Sequence, residues 1–329
     1  MDTSPKSMKK LILQGIRKTL IQIGSATKVE LSEKLNISFP TISKFLAEME
    51  KDGELLLVGL DESSGGRRAK RYRYNPEYML GLAIFLERTE THYIVFNCLG
   101  EEKEVGRTSS FLVEEDLTLL KHFVEGILKK FPKISSIAIG VPGSVADGEI
   151  FFIPGYEHFQ NVDLKGYMEN TFDMPVIVEN DMNAAVFGYH HMKEEKKSNS
   201  LVYLYSGQNG PGAGIIVNGT VVQGSTNFSG EISFVPQYDD RNFGQSLESD
   251  KEDEIDAISR LVASFVAIIN PHTFIFSEEE VNQSMMNEIG KRSSHYIPKE
   301  HLPAFKRSNW KQDYLFGLQS LGLEQMIQE

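Results

Sequence analysis

Residues 178–188 read VENDMNAAVFG, and they join a short apolar run to small residues of the kind that start a helix. Glu179, Asn180 and Asp181 stand at this junction. A carboxylate at the exit of a strand can act as a catalytic base. Asp181 can equally cap the following helix, because a carboxylate accepts hydrogen bonds from free backbone N–H groups. The segment predicts a strand followed by a helix and leaves its chemistry open.

Strand-like and helical patterns alternate on both sides of this junction. The strand-like runs are Met79–Leu86, Tyr93–Cys98, Ile134–Val141, Val176–Val178, Leu201–Tyr205, Gly214–Val217 and Phe274–Phe276. The helical runs are Leu117–Lys130, Leu164–Phe172 and Ile255–Ile269. This alternation predicts α/β architecture, and two strand-rich portions predict two lobes that face each other across a cleft. The acidic stretch Gln237–Glu254 is expected to be a surface loop.

The first 75 residues have a different pattern, which predicts a helix-turn-helix. Met8–Ile23 has the spacing of an amphipathic helix. Thr27 and Glu30 form a capping-box pattern for a second helix. A turn at Asn36 then leads to a third helix, for which Ser38 is well placed as the N-cap. In a helix-turn-helix, the second helix of the pair presents its N-terminal end to the major groove of DNA.

Two strand-like runs, Leu55–Leu60 and Tyr72–Tyr74, flank the basic stretch DESSGGRRAKR at residues 61–71 and predict a wing. Basic side chains on such a hairpin bind phosphates. The predicted DNA contacts are Ser38, Phe39, Thr41, Ser43 and Lys44 in the third helix and Arg67, Arg68, Lys70 and Arg71 in the wing. The alternative interpretation is a structural three-helix cap whose basic loop is only solvated.

The charge distribution supports contact between this head and a polyanion. Residues 1–75 hold fourteen Lys and Arg against nine Asp and Glu, a balance of +5, whereas the remainder carries −17 and the chain −12. The single cysteine, Cys98, allows no intramolecular disulfide and indicates a reducing compartment. No uninterrupted apolar segment approaches the ~20 residues of a membrane span. A cytoplasmic protein without a membrane segment is expected.

The winged head followed by AIGVPGSV (138–145), VENDMNAAVFG, GPGAGIIVNGTVVQGS (210–225) and FSGEISF (228–234) resembles the ROK family of repressors and sugar kinases. The resemblance implies an actin-like fold of the sugar kinase–heat shock protein–actin type, with sugar in the cleft. It divides the chain into a winged helix-turn-helix (1–75), a first lobe (76–192) and a second lobe (193–329), whose C-terminal helix returns to the first.

The motifs that family kinases use for ATP are altered in this sequence. Their first strand carries Asp-x-Gly-Gly-Thr, whereas LGLAIFLERT (80–89) has Ala83 for the acid and large side chains such as Phe85 for the glycines. The second phosphate loop corresponds to residues 208–212, where Pro211 removes a donor. Glu278 stands where the family has glycine near the adenosine. We therefore predict neither ATP binding, nor catalytic residues, nor a cofactor.

The positions that bind sugar in the family are better preserved. The resemblance assigns ring hydroxyls to Asn180, Asp181 and Glu231, and it places Gly143 in a loop that lines the same cleft. An amide beside a carboxylate suits a polyol. The family's zinc-ligating histidine is Phe234 here, and residues 235–254 contain neither Cys nor His, so no metal site is predicted.

Two aromatic residues leave the nature of the pocket open. Phe234 and Tyr156 would make it more apolar, which suits a stacked sugar face or a modified ligand, or they would fill it.

Together these features predict a DNA-binding regulator of carbohydrate metabolism, acting as a repressor and without kinase activity. Its predicted partners are double-stranded operator DNA, a sugar or sugar phosphate effector, and a second copy of the chain in a homodimer or homotetramer. The alternatives are a sugar kinase with an appended DNA-binding head and a ligand-independent repressor with a degenerate cleft.

Overall fold

The N-terminal part of the chain folds into helices packed on a small antiparallel sheet. The computed structural model describes residues 5–60, 68–114, 116–192, 200–207, 210–238, 240–248 and 250–328. The N-terminal elements are α1 (Pro5–Ile23), β1 (Ala26–Thr27), α2 (Lys28–Leu35), α3 (Phe39–Lys51), β2 (Leu55–Leu60) and β3 (Lys70–Tyr74). The strand order is β1-β3-β2, so β2 and β3 form an antiparallel hairpin.

Local sequence signals explain most of these boundaries. The capping box between Thr27 and Glu30 is present, as predicted, and starts α2. Asn36 ends that helix in the left-handed conformation, with φ of 52°. Ser38 occupies the N-cap position of α3, as predicted, but its side chain caps no backbone N–H, because its Oγ lies 2.8 Å from the Thr41 hydroxyl oxygen.

A buried ion pair stands inside this N-terminal core. Arg17 on α1 donates from Nε to Oε1 of Glu54 at 2.5 Å, and the side chains are only 10% and 5% exposed. The Tyr74 hydroxyl donates to the same Glu54 oxygen at 3.0 Å. Leu20, Leu31 and other buried apolar side chains surround these groups. The pair therefore ties α1 to the sheet within an apolar environment.

The next part of the chain forms a five-stranded mixed sheet, here called sheet I, in the order β11-β7-β4-β5-β6. Its strands are β4 (Leu80–Leu86), β5 (Glu90–Asn97), β6 (Glu102–Ser109), β7 (Ile134–Val141) and β11 (Val176–Asn180). The helices of this part are α4 (Thr118–Lys130), α5 (Leu164–Phe172) and α6 (Asp181–Met192). A small sheet beside it contains β8 (Ser144–Ala146), β9 (Glu149–Phe152) and β10 (Val162–Asp163).

A second five-stranded mixed sheet, sheet II, has the order β14-β13-β12-β15-β16. Its strands are β12 (Leu201–Tyr205), β13 (Gly212–Val217), β14 (Thr220–Val221), β15 (Thr273–Ser277) and β16 (Ala304–Ser308). The remaining helices of the described chain are α7 (Phe243–Leu247), α8 (Lys251–Ile269), α9 (Gln283–Ser293) and α10 (Trp310–Gln328). The α/β architecture predicted from the alternating pattern is confirmed.

The prediction of a surface loop over Gln237–Glu254 was wrong in part. Phe243 begins the short helix α7 and is fully buried, and the long helix α8 already begins at Lys251. Asn242 forms a capping box with Gln245, which fixes the start of α7. The segment therefore contains the buried Phe243 ring and the starts of α7 and α8, which its acidic composition did not indicate.

Helix α10 connects three parts of the structure. It crosses α6 at a pair of glycines: a Cβ on Gly188 would lie 1.9 Å from the Asp313 carbonyl oxygen, and one on Gly317 would lie 1.9 Å from that of Ala184. The helix also packs on β4 and β7 of sheet I. At its other end, the Gln328 carbonyl accepts a hydrogen bond from the Gln14 side chain of α1. The domain boundaries after residues 75 and 192 stay predictions.

Across the described ranges, every helix is too short or too polar to span a bilayer.

Candidate functional site

A cleft of about 240 Å³ contains the four residues predicted to contact a ligand. Gly143, Asn180 and Asp181 line it from the side of sheet I, and Glu231 lines it from the side of sheet II. The structure therefore brings together groups that are up to 88 positions apart in the chain, between Gly143 and Glu231.

Asn180 ends β11 and its amide is occupied by the protein itself. The Nδ2 atom donates to the Gly143 carbonyl at 3.0 Å, and Oδ1 accepts from the Asn183 backbone N–H at 2.9 Å. Asn180 therefore caps α6, a role that the sequence had suggested for Asp181. A Cβ at Gly143 would lie 2.6 Å from the Phe152 carbonyl oxygen, so this turn accepts only glycine without rearrangement.

Asp181 lines the cleft, and its side chain is not used to cap α6. It accepts a hydrogen bond from the Met182 backbone N–H at 2.8 Å, and only 8% of the residue is exposed. Burial raises the pKa of Asp181 to about 8, and the negative charges of Glu87 and Glu231 add to the effect. At neutral pH this carboxyl group can hold a proton and donate a hydrogen bond to a ligand.

Glu87 was not singled out from the sequence, although it stands at the end of β4, directly after Leu86. It is 2% exposed, and burial raises its pKa to about 7. The nearby Lys311 acts in the opposite direction and favours the ionised form. The sequence signal that could have identified Glu87 is its position directly after a strand, which is also the position of Asp181.

Glu231 links the two sides of the cleft. The Ser144 hydroxyl on β8 donates to Glu231 Oε1 at 2.6 Å. Burial raises the pKa of Glu231, and the hydrogen bond from Ser144 partly opposes that shift. The second carboxylate oxygen remains for a ligand.

Glu179 supports the strand end. Its Oε1 accepts from the Asn180 backbone N–H at 2.9 Å and from Asn183 Nδ2 at 3.1 Å. Burial raises the pKa of Glu179. Its bonds are all to residues of the same strand–helix junction.

Three phenylalanines form an aromatic wall: Phe152 on β9 and Phe234 from the side of sheet II line the cleft, and Phe228 packs against both of them. Their ring centroids are 5.7 Å apart for Phe152–Phe228, 5.9 Å for Phe152–Phe234 and 5.5 Å for Phe228–Phe234. Phe234 is 52% exposed and Phe228 is 40% exposed. Tyr156 is buried in the core beneath sheet I and is not a lining residue.

Aromatic side chains pack in a row from Phe85, which the resemblance places at the first phosphate position, through Tyr314 and Trp310 to Tyr205. Tyr205 stacks on Trp310 with ring centroids 4.0 Å apart, and Phe85 lies 4.9 Å from the Tyr314 ring. The carboxylate of Glu280 accepts from the Ser206 backbone N–H at 2.9 and 3.2 Å. Residues 208 and 209 of the second phosphate loop lie outside the described residues.

Glu278 makes a contact of its own at this end. Its carboxylate accepts a hydrogen bond from Asn309 Nδ2 at 3.1 Å. The carboxylate is therefore directed to a neighbour on the protein surface.

The described residues that line the cleft include no Lys, Arg or His. The described ranges also contain no group of three His, Cys, Asp or Glu side chains arranged to hold a metal ion. The electrostatic character of the site is therefore set by its acids.

The predicted DNA-contacting residues that the structure describes lie at the N-cap and in the first turns of α3 and at or just before the start of β3. Ser38, Phe39, Lys44, Arg68 and Lys70 are exposed. Thr41 and Ser43 are half-buried, and Arg67 lies outside the described residues.

Arg71 differs from the other wing cations because its guanidinium faces inward. Its Nη2 donates to Glu30 Oε1 at 2.9 Å, and its Nη1 donates to the Ser25 carbonyl at 3.2 Å. The Thr27 backbone N–H and then Arg71 lower the pKa of Glu30. Arg71 therefore joins the wing to the start of α2.

Comparison with known proteins identifies relatives among repressors. The xylose repressor of Caldicellulosiruptor bescii is 30% identical over 236 residues, which span 69% of this chain and 58% of that protein. The transcriptional dual regulator NagC of Escherichia coli K12 is 23% identical over 238 residues, again 69% of this chain and 58% of that protein. The chain thus matches less than two thirds of the length of these relatives.

Solved structures share the fold over more of the chain. A ROK family transcriptional regulator described as a homolog of E. coli MLC superposes with a TM-score of 0.74 at 17% identity, covering 97% of this chain and 98% of that one. The ROK hexokinase of Thermus thermophilus gives a TM-score of 0.60 at 17% identity, covering 75% of this chain and 98% of that one. The family model described as ROK family matches residues 82–244. The chain therefore contains a ROK family domain at residues 82–244.

Proposed function

We propose that this chain is a transcriptional repressor whose affinity for operator DNA depends on a sugar in the cleft, and that it does not phosphorylate the sugar. The observation that carries the proposal is the position of Asp181 and Glu231 in one cleft beside the packed pair Tyr205 and Trp310. Groups that bind hydroxyls are present, while aromatic side chains occupy the neighbouring region.

The N-terminal elements support DNA binding. We assign residues 1–75 to a winged helix-turn-helix, with α2 and α3 as the helix pair and the β2–β3 hairpin as the wing. The N-terminal end of α3 presents Phe39 to solvent, and Lys44 follows one turn later. Such an end enters the major groove, while basic residues of the wing bind phosphates. The names of the repressor relatives agree with this assignment.

The cleft supports a sugar as the effector. Its volume of about 240 Å³ is below the ~300–1,000 Å³ of pockets for drug-sized ligands, which leaves room for one sugar ring. Carboxyl groups that hold or lose a proton near neutral pH can donate to one hydroxyl and accept from another. Relatives named as xylose and N-acetylglucosamine repressors support the same class of ligand.

The other end of the cleft argues against phosphoryl transfer. That reaction needs backbone donors and a metal ion around the phosphates. Phe85 and Leu86 are large and buried at the first phosphate position, and the Glu280 carboxylate already occupies the Ser206 N–H. A phosphate at this loop would have to compete with the Glu280 carboxylate for the Ser206 N–H. The likeness to sugar kinases is one of fold, at 17% identity.

Helix α10 supplies a route from cleft to head. Its glycine crossing lies on α6, the helix that begins at Asp181, and its last residues reach α1 through Gln328 and Gln14. A ligand that favours one arrangement of the proposed lobes, 76–192 and 193–329, would thereby shift the head. We further propose a homodimer or homotetramer, because two-fold proteins read paired half-sites in DNA.

A mobility-shift titration with the DNA upstream of the chain's own gene tests the proposal. We expect a specific complex whose affinity falls steeply with salt, as phosphate contacts require. We also expect a sugar to change the midpoint of the titration. Binding that is absent or independent of salt would contradict the proposal.

A further inference from the structure

The charge of the cleft restricts the chemistry of its ligand. Proteins recognise phosphate groups with Arg and Lys side chains or with free backbone N–H groups. The described lining of this cleft has no basic side chain, and it holds Asp181 and Glu231. A sugar phosphate would lose water from its anion in this cleft without gaining a basic side chain, whether or not the two acids are protonated. An uncharged ligand carries no such cost.

The aromatic wall restricts the ligand further. Phe234 follows Glu231 by three residues and shares its turn, the 3₁₀ segment Ile232–Phe234. A sugar ring bound to Glu231 would therefore lie close to the Phe234 ring. That ring is 52% exposed and packs against Phe152 and Phe228, which places an accessible apolar surface at the cleft. Such surfaces at a concave site mark binding of an apolar group.

The two restrictions describe different parts of one ligand. Asp181, Glu231, Phe152 and Phe234 all line the cleft of about 240 Å³, which has room for one sugar ring, and Phe228 extends the aromatic wall beyond this lining. A free monosaccharide would satisfy the first part and leave the wall exposed to water. A ligand with a flat, apolar face next to the sugar ring would use both.

We propose, resting on the sugar-responsive function proposed above, that the effector is an uncharged glycoside whose aglycone, a second ring with a flat apolar face, stacks on Phe234. Phe152 and Phe228 hold the Phe234 ring in place. The sugar ring itself bonds Asp181 and Glu231. Phosphorylated sugars are excluded.

Compounds that differ only at C1 test the assignment. Binding to the full chain is measured by calorimetry for D-xylose, phenyl β-D-xylopyranoside and xylose 1-phosphate, and for the same three forms of N-acetylglucosamine. In at least one of the two series we expect the phenyl glycoside to bind about fivefold more tightly than the free sugar, within the range of a single aromatic contact. The 1-phosphate should show no binding. A 1-phosphate that binds as well as the glycoside would overturn the proposal, as would the absence of binding by all six compounds.

Two matched variants test whether the higher affinity for the phenyl glycoside comes from Phe234. Phe234→Ala should reduce the ratio of phenyl-glycoside affinity to free-sugar affinity, measured within the same variant, from about fivefold to about one, since the aromatic contact is lost. Leu119→Ala, which removes an apolar side chain of similar exposure (48%) on α4, should leave the advantage intact. A gain that persists in Phe234→Ala would contradict stacking on the wall.

The mobility-shift titration distinguishes failure of the glycoside proposal from failure of the proposed repressor function. Operator binding that responds to a sugar phosphate would leave the proposed function standing and refute the glycoside. Absence of operator binding would refute the proposed function, whatever the calorimetry shows.

Discussion

The Ser144 hydroxyl lies 2.6 Å from Glu231 Oε1, and this hydrogen bond joins β8 on one side of the cleft to the turn before Phe234 on the other. The Phe152 ring packs on Phe228 and Phe234 across the same gap. A sugar hydroxyl bonded to Glu231 would compete with Ser144 or share the carboxylate with it. The contact is therefore one place where ligand binding can change the relation of the two sides.

Glu231→Ala should weaken binding of the effector sugar by about tenfold or more, the usual cost of losing a hydrogen bond to a charged group. The affinity for operator DNA without sugar is measured in the same variant, because Glu231→Ala also removes the hydrogen bond from Ser144 that joins the two sides of the cleft. Calorimetry and a mobility shift measure the two effects. The exposed Glu300→Ala serves as the control. An unaltered sugar affinity in Glu231→Ala would remove this residue from the site.

Asp181→Asn should stabilise the protein increasingly as pH rises. Below the ordinary pKa of aspartate, 3.8, the carboxyl is protonated in both the folded and the unfolded chain and costs nothing. Between that value and about 8, the unfolded chain ionises while the folded protein retains the proton, so the wild type loses stability that the amide keeps. The difference in melting temperature should grow from pH 5 to pH 8 and then level off. A difference that is constant with pH would contradict the burial of this carboxyl.

Arg17→Met should lower the free energy of unfolding by about 3 kcal/mol or more, because it leaves the buried Glu54 without its cation. Urea denaturation followed by circular dichroism measures the loss. The double variant Arg17→Met/Glu54→Leu should recover most of it, since both charges are then removed. The exposed pair of Lys9 and Glu48 gives the comparison, and Lys9→Ala should cost less than about 1 kcal/mol. A double variant no more stable than the single one would contradict this account of the core.

Trp310 provides an internal probe for nucleotide and sugar. It is the only tryptophan of the chain and stacks on Tyr205, which lines the cleft. We expect the effector sugar to change its fluorescence and ATP at millimolar concentration to leave it unchanged. A coupled assay for ADP should detect no turnover with any sugar that binds. Sugar-dependent release of ADP would restore the kinase interpretation.

Lys44→Ala and Arg68→Ala should each weaken binding to all DNA sequences and reduce the slope of log affinity against log salt by about one. Both side chains are exposed. Arg71→Ala should instead lower the melting temperature of the head, because Arg71 holds Glu30 and the Ser25 carbonyl. Anisotropy titrations at several salt concentrations and thermal melts separate the two effects. An unchanged slope in Lys44→Ala and Arg68→Ala would place the DNA elsewhere.

The predictable parts of the fold are the strands whose own residues form a continuous apolar run. Strand β7, Ile134–Val141, and strand β12, Leu201–Tyr205, are largely buried on both faces and mostly apolar, so their bounds follow from the run of apolar residues. Strand β6 alternates exposed and half-buried polar residues, and it forms because β5 pairs with it. The small sheet of β8, β9 and β10 likewise depends on pairing and was not anticipated.

The sequence predicted the acidic residues of the candidate site but not the residues that those acids contact. Asn180, Asp181 and Glu231 stand in motifs, but the bond between Ser144 and Glu231 joins residues 87 positions apart. No local pattern records such a contact. The sequence allowed Asp181 to cap α6, but the helix begins at Asp181 itself and Asn180 is the cap. Composition does not resolve this difference of one residue. The contact of Phe228 with Phe152 arises in the same way, from tertiary packing.

The central claim is that one sugar-binding cleft controls the affinity of one DNA-binding head. Thermodynamic linkage gives its most direct test: the factor by which saturating sugar changes the Kd for operator DNA must equal the factor by which saturating operator changes the Kd for sugar. We predict a common factor of about five or more, measured by anisotropy and calorimetry on the same preparation. A factor of one in both directions would show that the cleft and the head act independently and would contradict the account.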